Sequence, residues 1–335
     1  MATIRDVAQL AGVSIATVSR VLNNSDKVLP ETTKHVRAIL KELNYVYNQP
    51  LTKRRSVSGK KSLFAIILPN LVNPYFAELL DVVEQEAQHL DRGLLVFNSR
   101  GDVQRELALV EECHRHKVDG IFIIPCSRTS AHLNALPEQS VPVVVLTQLL
   151  DHFTSVAVDH IEGGAQIAEH LVSMGHTEIG YFGSTDDAEE KFVGFRNKLT
   201  ELGVHLQNEC VISTPALSAM ELAGAFHEFL DHHPTLPFSA IFTFNDVAAQ
   251  QVIEALSQRQ IMVPEQVMVV GFDNTLLSRV MNISSVAQPM REIGRLGCQE
   301  MVRLVTRNDM KIQHLTLTPR LVLRSSSVQV NTKRF

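Results

Sequence analysis

Polar and aromatic side chains recur directly after apolar segments that have the character of buried strands. Their amide, carboxylate, hydroxyl and ring groups can hold a ligand by hydrogen bonds and by packing. Asn and Asp also favour helix caps and turns, so each position taken singly is more typical of a cap than of a ligand contact. Their recurrence at one end of the strands is what indicates a binding site. The positions are Pro69-Asn70, Asn73 to Phe76, Asn98-Ser99, Thr147, Asn245-Asp246 and Asp273-Asn274.

A second set of polar side chains lies near the start of the chain, where the pattern from Ile4 to Ser25 predicts two short helices and a tight turn. Thr3 can cap the first helix, Gly12 can end it, and Ser14 can cap the second. The polar side of the second helix suits the major groove of DNA, because short residues allow close approach and Arg or Asn can read base edges. An ordinary helical hairpin fits this pattern equally well. That side carries Ala16, Thr17, Ser19, Arg20 and Asn23.

Motifs that would support catalysis are missing from the sequence. It contains no G-x-S-x-G, no H-E-x-x-H and no G-x-G-x-x-G after the first predicted strand. Gly59 to Ser62 faintly resembles a phosphate-binding loop, but this segment lacks the first glycine of that motif and precedes a strand. The cysteines are far apart, without metal-like spacing, and are typical of reduced thiols: Cys113, Cys126, Cys210 and Cys298. We therefore expect no enzyme, no cofactor and no metal.

Composition and charge separate a small head from a larger body. The chain has 335 residues, of which 45% are hydrophobic and 20% charged, enough for two or three ordinary domains. Residues 1–61 hold 11 Lys and Arg against 4 Asp and Glu, whereas the remainder holds 20 against 32. A basic head on an acidic body indicates that only the head meets a polyanion. No apolar run reaches membrane-spanning length and no signal peptide is recognisable, so we expect a cytoplasmic protein without a membrane role.

The order of predicted elements gives three regions. Residues 1–47 form an all-helical head, residues 48–61 a basic linker, and residues 62–335 an α/β body. In the body, apolar strands alternate with helices, which predicts doubly wound parallel sheets, and its length favours two lobes with a ligand cleft between them. We expect VPVVVL (141–146) to close the first lobe and SVAVD (155–159) to begin the second. LTLTPRLVLR (315–324) is interpreted as one edge strand.

The wording of the head closely resembles the N-terminal signature of the LacI/GalR family of bacterial transcription regulators, in DVAQLAGVSIATVSRVLNN (6–24). The resemblance extends through the body, in NPYFAEL, VDGIFIIP, GGAQIAEHLVSMGHTEIGYFG, FTFND, VPEQVMVVGFDN and SSVAQPMREIG. It implies a helix-turn-helix head and a body of the periplasmic-binding-protein type. It also implies that the linker forms a hinge helix on operator DNA, with an apolar wedge in the minor groove. The expected DNA-binding residues are Thr3, Ser14, Ile15, Ala16, Thr17, Ser19, Arg20, Asn23 and, as alternative wedges, Leu51 and Val57. A solvated, disordered tether is an equally weighted interpretation of the linker.

The same resemblance implies a sugar site in the body. Tyr75 and Phe76 would wall the cleft, and Asp273 would accept hydrogen bonds from ligand hydroxyls beside Asn245. This chain departs from the family at Lys191, where an arginine is usual, and at Thr147-Gln148, where Asp-Arg is usual. Lysine offers a point charge instead of a planar fork, so the effector can be another sugar, a sugar acid or phosphate, or a different compound. The expected effector-binding residues are Asn70, Tyr75, Phe76, Thr147, Lys191, Asn245 and Asp273.

These observations leave three candidate functions, which they favour to different degrees. The first is a ligand-controlled transcription regulator, a repressor in our interpretation, that binds double-stranded operator DNA as a homodimer and takes a carbohydrate effector. Whether the effector releases DNA or promotes its binding stays open. The second is a sugar-binding receptor module without a DNA role, which the basic head and the missing signal peptide disfavour. The third is a sugar-modifying enzyme, for which no catalytic constellation is visible. A dimer is favoured over a tetramer, because no heptad helix follows Arg324.

Overall fold

The structure is a computed structural model, and it describes eleven stretches of the chain: residues 4–14, 17–18, 21, 28, 30–42, 63–127, 132–133, 141–186, 189–214, 218–307 and 311–328. Two compact units are present, Met1–Lys60 and Lys61–Phe335.

The first unit is built from short helices around a small apolar core. Helix α1 spans Ile4–Leu10 and helix α2 spans Pro30–Glu42. Gly12 adopts a φ of +63°, the left-handed conformation that a residue without Cβ takes at little cost. The Ser14 hydroxyl accepts a hydrogen bond from the Thr17 amide at 3.1 Å, as predicted for a helix cap. The core contains Val7, Ala8, Ala11, Val18, Val21, Val36 and Ile39.

The second unit holds two sheets of six strands each. The strands of the first sheet are β1 (Leu63–Leu68), β2 (Gly93–Asn98), β3 (Gly120–Ile123), β4 (Val143–Thr147), β5 (Thr154–Val158) and β11 (His314–Leu317), in the order β11-β5-β4-β3-β1-β2. Those of the second are β6 (Ile179–Gly183), β7 (Val211–Ser213), β8 (Ala240–Thr243), β9 (Met268–Asp273), β10 (Ser284–Ala287) and β12 (Arg320–Val322), in the order β12-β10-β9-β8-β6-β7. All neighbouring strands are parallel except β10 and β12. The predicted pair of doubly wound parallel sheets is therefore confirmed.

Helices cover the faces of both sheets. They are α3 (Pro74–His89), α4 (Val103–Arg115), α5 (His160–Ser173), α6 (Glu190–Glu201), α7 (Ala219–His232), α8 (Asp246–Gln258), the short α9 (Leu276–Val280) and α10 (Met290–Arg307). Helices α3, α4 and α10 pack on the first sheet and form lobe 1 with it, while α5 to α9 form lobe 2 with the second sheet. The longer helices bury apolar faces against the central strands, several of which, such as β3, β4 and β9, are buried along their whole length, as parallel sheets require. None of the described helices is both long and apolar enough to cross a bilayer.

Two predictions about the lobes are wrong. The segment SVAVD forms β5, which pairs with β4 in the first sheet, so lobe 2 starts with helix α5 instead. The segment LTLTPRLVLR is not one edge strand. It forms β11 at the edge of the first sheet and β12 at the edge of the second, separated at Thr318-Pro319, where proline cannot donate to a ladder. The chain thus crosses between the lobes three times, after β5, after β10 and after β11.

Two glycines allow α5 and α6 to approach unusually closely. A Cβ on Gly164 would lie 2.1 Å from the carbonyl oxygen of Lys191, and one on Gly194 would lie 2.0 Å from that of Ile161. Only glycine fits at such distances, because the opposing atoms belong to the backbone and cannot rotate away. This contact fixes the first turn of α6, which carries Lys191.

Candidate ligand-binding cleft

A cavity of about 270 Å³ lies between the carboxyl ends of the strands of the two lobes. Ligands of doubly wound sheets bind at this edge, so the location is the one that the fold favours. All seven residues that were predicted for the effector line this cavity: Asn70, Tyr75, Phe76, Thr147, Lys191, Asn245 and Asp273. The structure therefore brings together side chains from positions up to about 200 residues apart in the sequence.

Asp273 is the buried carboxyl group of the cavity. It ends β9 with a φ of +104° and is only 3% exposed. The Lys191 ammonium lies 3.6 Å from its Oδ1, donates to the Phe244 carbonyl at 3.0 Å, and stands 4.2 Å above the Phe272 ring. Burial raises the pKa of Asp273 to about 7; the positive charge of Lys191 opposes this rise, and the nearby Asp246 adds to it.

Gln288, which the sequence did not point to, links the lobes inside the cavity. It follows β10 at a crossover, and its Nε2 donates to Asp273 Oδ1 at 2.7 Å. Its Oε1 accepts from the Tyr75 hydroxyl at 3.1 Å and lies 3.2 Å from Nε2 of His160. Burial, and secondly the charge of Asp273, raise the pKa of Tyr75 well above its usual value, so this phenol stays a donor.

The local structure around Tyr75 explains why its ring faces the cavity. Asn73 caps helix α3 by accepting from the Tyr75 amide at 3.0 Å, and Pro74 occupies the first turn of the helix, where its missing N–H costs nothing. The ring of Phe76 stands edge-on to that of Tyr75, with 5.3 Å between centroids. Lobe 1 therefore offers two adjacent aromatic faces to the cavity.

The two predicted amides are both engaged in local backbone contacts. Asn245 caps α8, since its Oδ1 accepts from the Ala248 amide at 2.8 Å. Asn70 accepts from the amides of Val72 and Asn73 at 2.6 and 3.0 Å. The cap interpretation therefore holds for Asn245 and the turn interpretation for Asn70, and a contact with a ligand would fall to the amide nitrogens.

Thr147 and Gln148 occupy the two positions at which the family that the sequence resembles usually has Asp-Arg. Thr147 ends β4 with a φ of +70°, which is costly for a β-branched residue, and it is 5% exposed. Gln148 donates to the Pro125 carbonyl at 3.4 Å. Both line the cavity, with His160, Glu189 and Gln288 as further residues that sequence reasoning missed.

A second contact joins the lobes outside the cavity. The Glu78 carboxylate of α3 accepts from the Leu276 amide at 2.5 Å and from the Arg279 guanidinium at 2.9 Å. With the Tyr75–Gln288–Asp273 chain, it gives the lobes two polar links that a change in lobe angle would alter.

Two of the ten residues that were predicted to contact DNA fall within the described part of the head. Ser14 is exposed and Thr17 is half-buried, and their hydroxyl oxygens lie 2.9 Å apart. The other eight lie outside the described residues: Thr3, Ile15, Ala16, Ser19, Arg20, Asn23, Leu51 and Val57.

A small helical head with a left-handed glycine turn and a Ser14 cap, followed along the chain by a two-lobed body with a polar cleft, defines a class of ligand-responsive DNA-binding proteins. Comparison with known proteins agrees. Residues 3–48 match the model of bacterial regulatory proteins of the lacI family, and residues 168–327 match the periplasmic binding protein-like domain. The chain belongs to the LacI family.

Its relatives match over nearly the full length. The transcriptional regulator DegA of Bacillus subtilis is 33% identical over 98% of this chain and 99% of its own. The ribose operon repressor of Escherichia coli K12 is 30% identical over 98% and 100%. Among solved structures, the complex of the regulator CelR with cellobiose superimposes with a TM-score of 0.70 at 26% identity, covering 97% of this chain and 100% of that chain. The chain is therefore a DNA-binding transcription regulator, and the prediction that it is not an enzyme is confirmed by its relatives.

Proposed function

We propose that this regulator represses transcription and that a neutral carbohydrate, bound between its lobes, controls its affinity for operator DNA. The observation that carries the proposal is the buried Asp273, which is held by Gln288 and Lys191 at the wall of a polar cavity. A fixed carboxylate accepts hydrogen bonds from sugar hydroxyls, and the Tyr75 and Phe76 faces suit the apolar edges of a sugar ring.

The charges of the cavity favour a neutral sugar over a sugar phosphate or acid. Lys191 is the only Lys or Arg among the lining residues that the structure describes, and its ammonium is already held by Asp273 and by the Phe244 carbonyl. Glu189 also lines the cavity. An anionic ligand would meet these carboxylates without a bidentate partner of the kind that arginine provides.

The relatives support the same class of effector. The names of two of them refer to sugars, the ribose operon repressor and the CelR–cellobiose complex. We propose that Asn70, Thr147 and Asn245 complete the contacts around such a ligand.

For the DNA side we propose the boundaries and contacts that the sequence indicates. Residues 1–47 read the operator through Thr3 and the segment from Ser14 to Asn23. Residues 48–61 form the hinge, with Leu51 or Val57 as its wedge. Two copies on a two-fold symmetric operator make a homodimer, and the protein acts in the cytoplasm, where its operator lies.

Ligand binding and operator binding would be coupled by the polar links between the lobes. A ligand that contacts both Tyr75 and Asp273 competes for the groups that Gln288 now joins, so it changes the preferred lobe angle. A ligand shifts such an equilibrium only by its differential affinity for the two arrangements.

The test is a thermal-shift screen of the full chain against neutral sugars, sugar phosphates, sugar acids and nucleobases, followed by operator binding with and without each hit. A neutral sugar that raises the melting temperature and changes the affinity for operator is the expected result. Hits confined to phosphates and acids would contradict the neutral-sugar class, and hits that leave operator binding unchanged would contradict control by the cleft. Operator binding should also weaken steeply with salt, as phosphate contacts dictate.

A further inference from the structure

Three side chains with metal-binding atoms converge beside the cleft, in lobe 1. They are Glu106 in the first turn of α4, Cys126 just after β3, and His132. Their ligand atoms all lie within 4.8 Å of one another. No sequence motif points to this cluster, because its members are 20 and 6 residues apart, a spacing that fits no known metal motif.

Glu106 is the centre of the cluster. Its side chain is fully buried, and Oε1 lies 2.6 Å from Nε2 of His132, whose side chain is 10% exposed. Its Oε2 accepts from the Cys126 amide at 2.9 Å. The same contacts also act as a hydrogen-bonded pin between α4 and the segment after β3, so an experiment has to separate the two roles.

The chemistry of the three donors favours a cation. Carboxylate, thiolate and imidazole are the ligand types that Zn²⁺ takes in proteins, at about 2.0 to 2.3 Å each. Such bonds place ligand atoms about 3 to 4 Å from one another, so side-chain shifts on the order of 1 Å would suffice. A divalent cation would also balance the charges of one carboxylate and one thiolate, whereas without it the Cys126 thiol beside Glu106 must stay neutral.

The environment of the thiol agrees with that argument. Burial, and secondly the charge of Glu106, raise the pKa of Cys126 to about 12. A thiol of this kind loses its proton only when a cation compensates the new charge.

We propose that Glu106, Cys126 and His132 form a binding site for a divalent transition metal of the zinc class, on the wall of the effector cleft. Each protein group supplies one ligand atom, Oε1, Sγ and Nε2, and water completes a tetrahedron. Binding releases the thiol proton of Cys126 to solvent, and His132 binds as the neutral imidazole. Because Cys126 lines the cleft, the metal would lie within reach of a bound effector.

The test uses Co²⁺ as a spectroscopic substitute for Zn²⁺ in the full chain, after treatment with a chelator. We expect one equivalent of Co²⁺ to produce the near-ultraviolet absorption of a thiolate–cobalt bond, and Zn²⁺ to abolish it by displacement. Cys126→Ser should remove this absorption. His132→Ala should weaken binding by more than about tenfold, whereas His89→Ala, which changes an exposed histidine of the same lobe, should leave it unchanged.

Two controls keep the result interpretable. Glu106→Gln retains an acceptor for the Cys126 amide and removes the charge, so it should weaken metal binding more than it changes the melting temperature of the metal-free protein. Cys126→Ser should melt close to the wild type without metal, since Cys126 is only half-buried. No thiolate–cobalt absorption with excess Co²⁺, or an absorption that survives Cys126→Ser, would overturn the proposal and leave the cluster as a hydrogen-bonded pin.

Discussion

The two lobes end the corresponding strand of their sheets in a similar backbone conformation, but with different side chains. Strand β4 is third in the first sheet and ends at Thr147; strand β9 is third in the second and ends at Asp273. Both residues have positive φ, +70° and +104°, and both line the cleft. The positive φ turns each side chain out of its strand at the same edge of the fold. The repeated architecture therefore fixes where a ligand group stands, and the residue type decides what it does.

The cavity shows a division of chemistry between the lobes, because the two lobes differ in the charged side chains that they contribute to its lining. Among the described lining residues, lobe 1 contributes amides, aromatic rings, a hydroxyl and a thiol, and no Asp, Glu, Lys or Arg. Lobe 2 contributes Glu189, Lys191 and Asp273. We infer that lobe 1 provides shape and neutral contacts, while lobe 2 provides the charged group that discriminates between ligands.

The largest expected effect is on the free energy of unfolding. It compares how closely the helices pack in the two lobes. In lobe 2, Gly164→Ala would press a Cβ against the backbone of α6, so we expect the free energy of unfolding to fall by about 3 kcal/mol in denaturant titrations. In lobe 1, a Cβ on Gly294 would meet the Val82 side chain at 2.5 Å, which can shift, so Gly294→Ala should cost less.

Gly224→Ala is the matched control for this pair, because nothing lies within 4 Å of its Cβ on the α7 helix. It should stabilise the protein by about 0.5 to 1 kcal/mol through helix propensity. Equal stability changes in Gly164→Ala and Gly224→Ala would show that α5 and α6 do not pack as closely as the 2.1 Å distance at Gly164 requires.

The second prediction compares the two strand ends directly, with the sugar that gives the largest shift in the thermal screen. Asp273→Asn removes a charged acceptor and should weaken its binding by about 10- to 150-fold. Thr147→Ala removes a neutral hydroxyl and should weaken it by about 2- to 10-fold. Isothermal titration calorimetry measures both, and an equal loss in the two variants would refute the division of chemistry between the lobes.

The smallest of the three effects is the pH dependence of effector binding. Since the pKa of Asp273 is raised to about 7, the acceptor carboxylate is mostly charged at pH 8 and mostly protonated at pH 6. Binding that needs the charged form should therefore weaken by up to about tenfold as the pH falls through this range. Asp273→Asn should bind weakly at both pH values; a variant that kept the full pH dependence would assign the titration to another group.

The cleft residues could be predicted from the sequence wherever they directly follow a recognisable parallel strand. Parallel strands bring their carboxyl ends to one edge, so polar residues after apolar runs, such as Asn70 and Asp273, had to meet there. Gln288 could not be predicted in this way, because the strand before it, β10, has the sequence Ser-Ser-Val-Ala and does not resemble a buried strand. Its serines are tolerated because partners distant in the sequence satisfy them: Ser284 accepts from the Arg324 amide at 2.7 Å.

The boundary between the lobes was not predictable for a different reason. Alternation of strands and helices fixes the class of fold, but it does not say which sheet a strand joins. Strand β5 reads like any other buried strand, and only pairing with β4 and β11 assigns it to lobe 1. The metal-binding cluster was equally hidden, because neither Glu106 nor His132 is close to Cys126 in a recognised spacing.

Strands β11 and β12 also determine when the body can finish folding during synthesis. They are the last strands in the described part of the chain, and each closes one edge of a different sheet. Until residues 314–322 emerge, β5 and β10 both present open backbone edges, which pair readily with other chains. The first unit, whose contacts are local, can fold long before this, so a nascent chain would carry a finished DNA-binding head in front of two incomplete lobes. A stalled or prematurely terminated chain of this kind is a candidate for aggregation and for removal by cellular quality control.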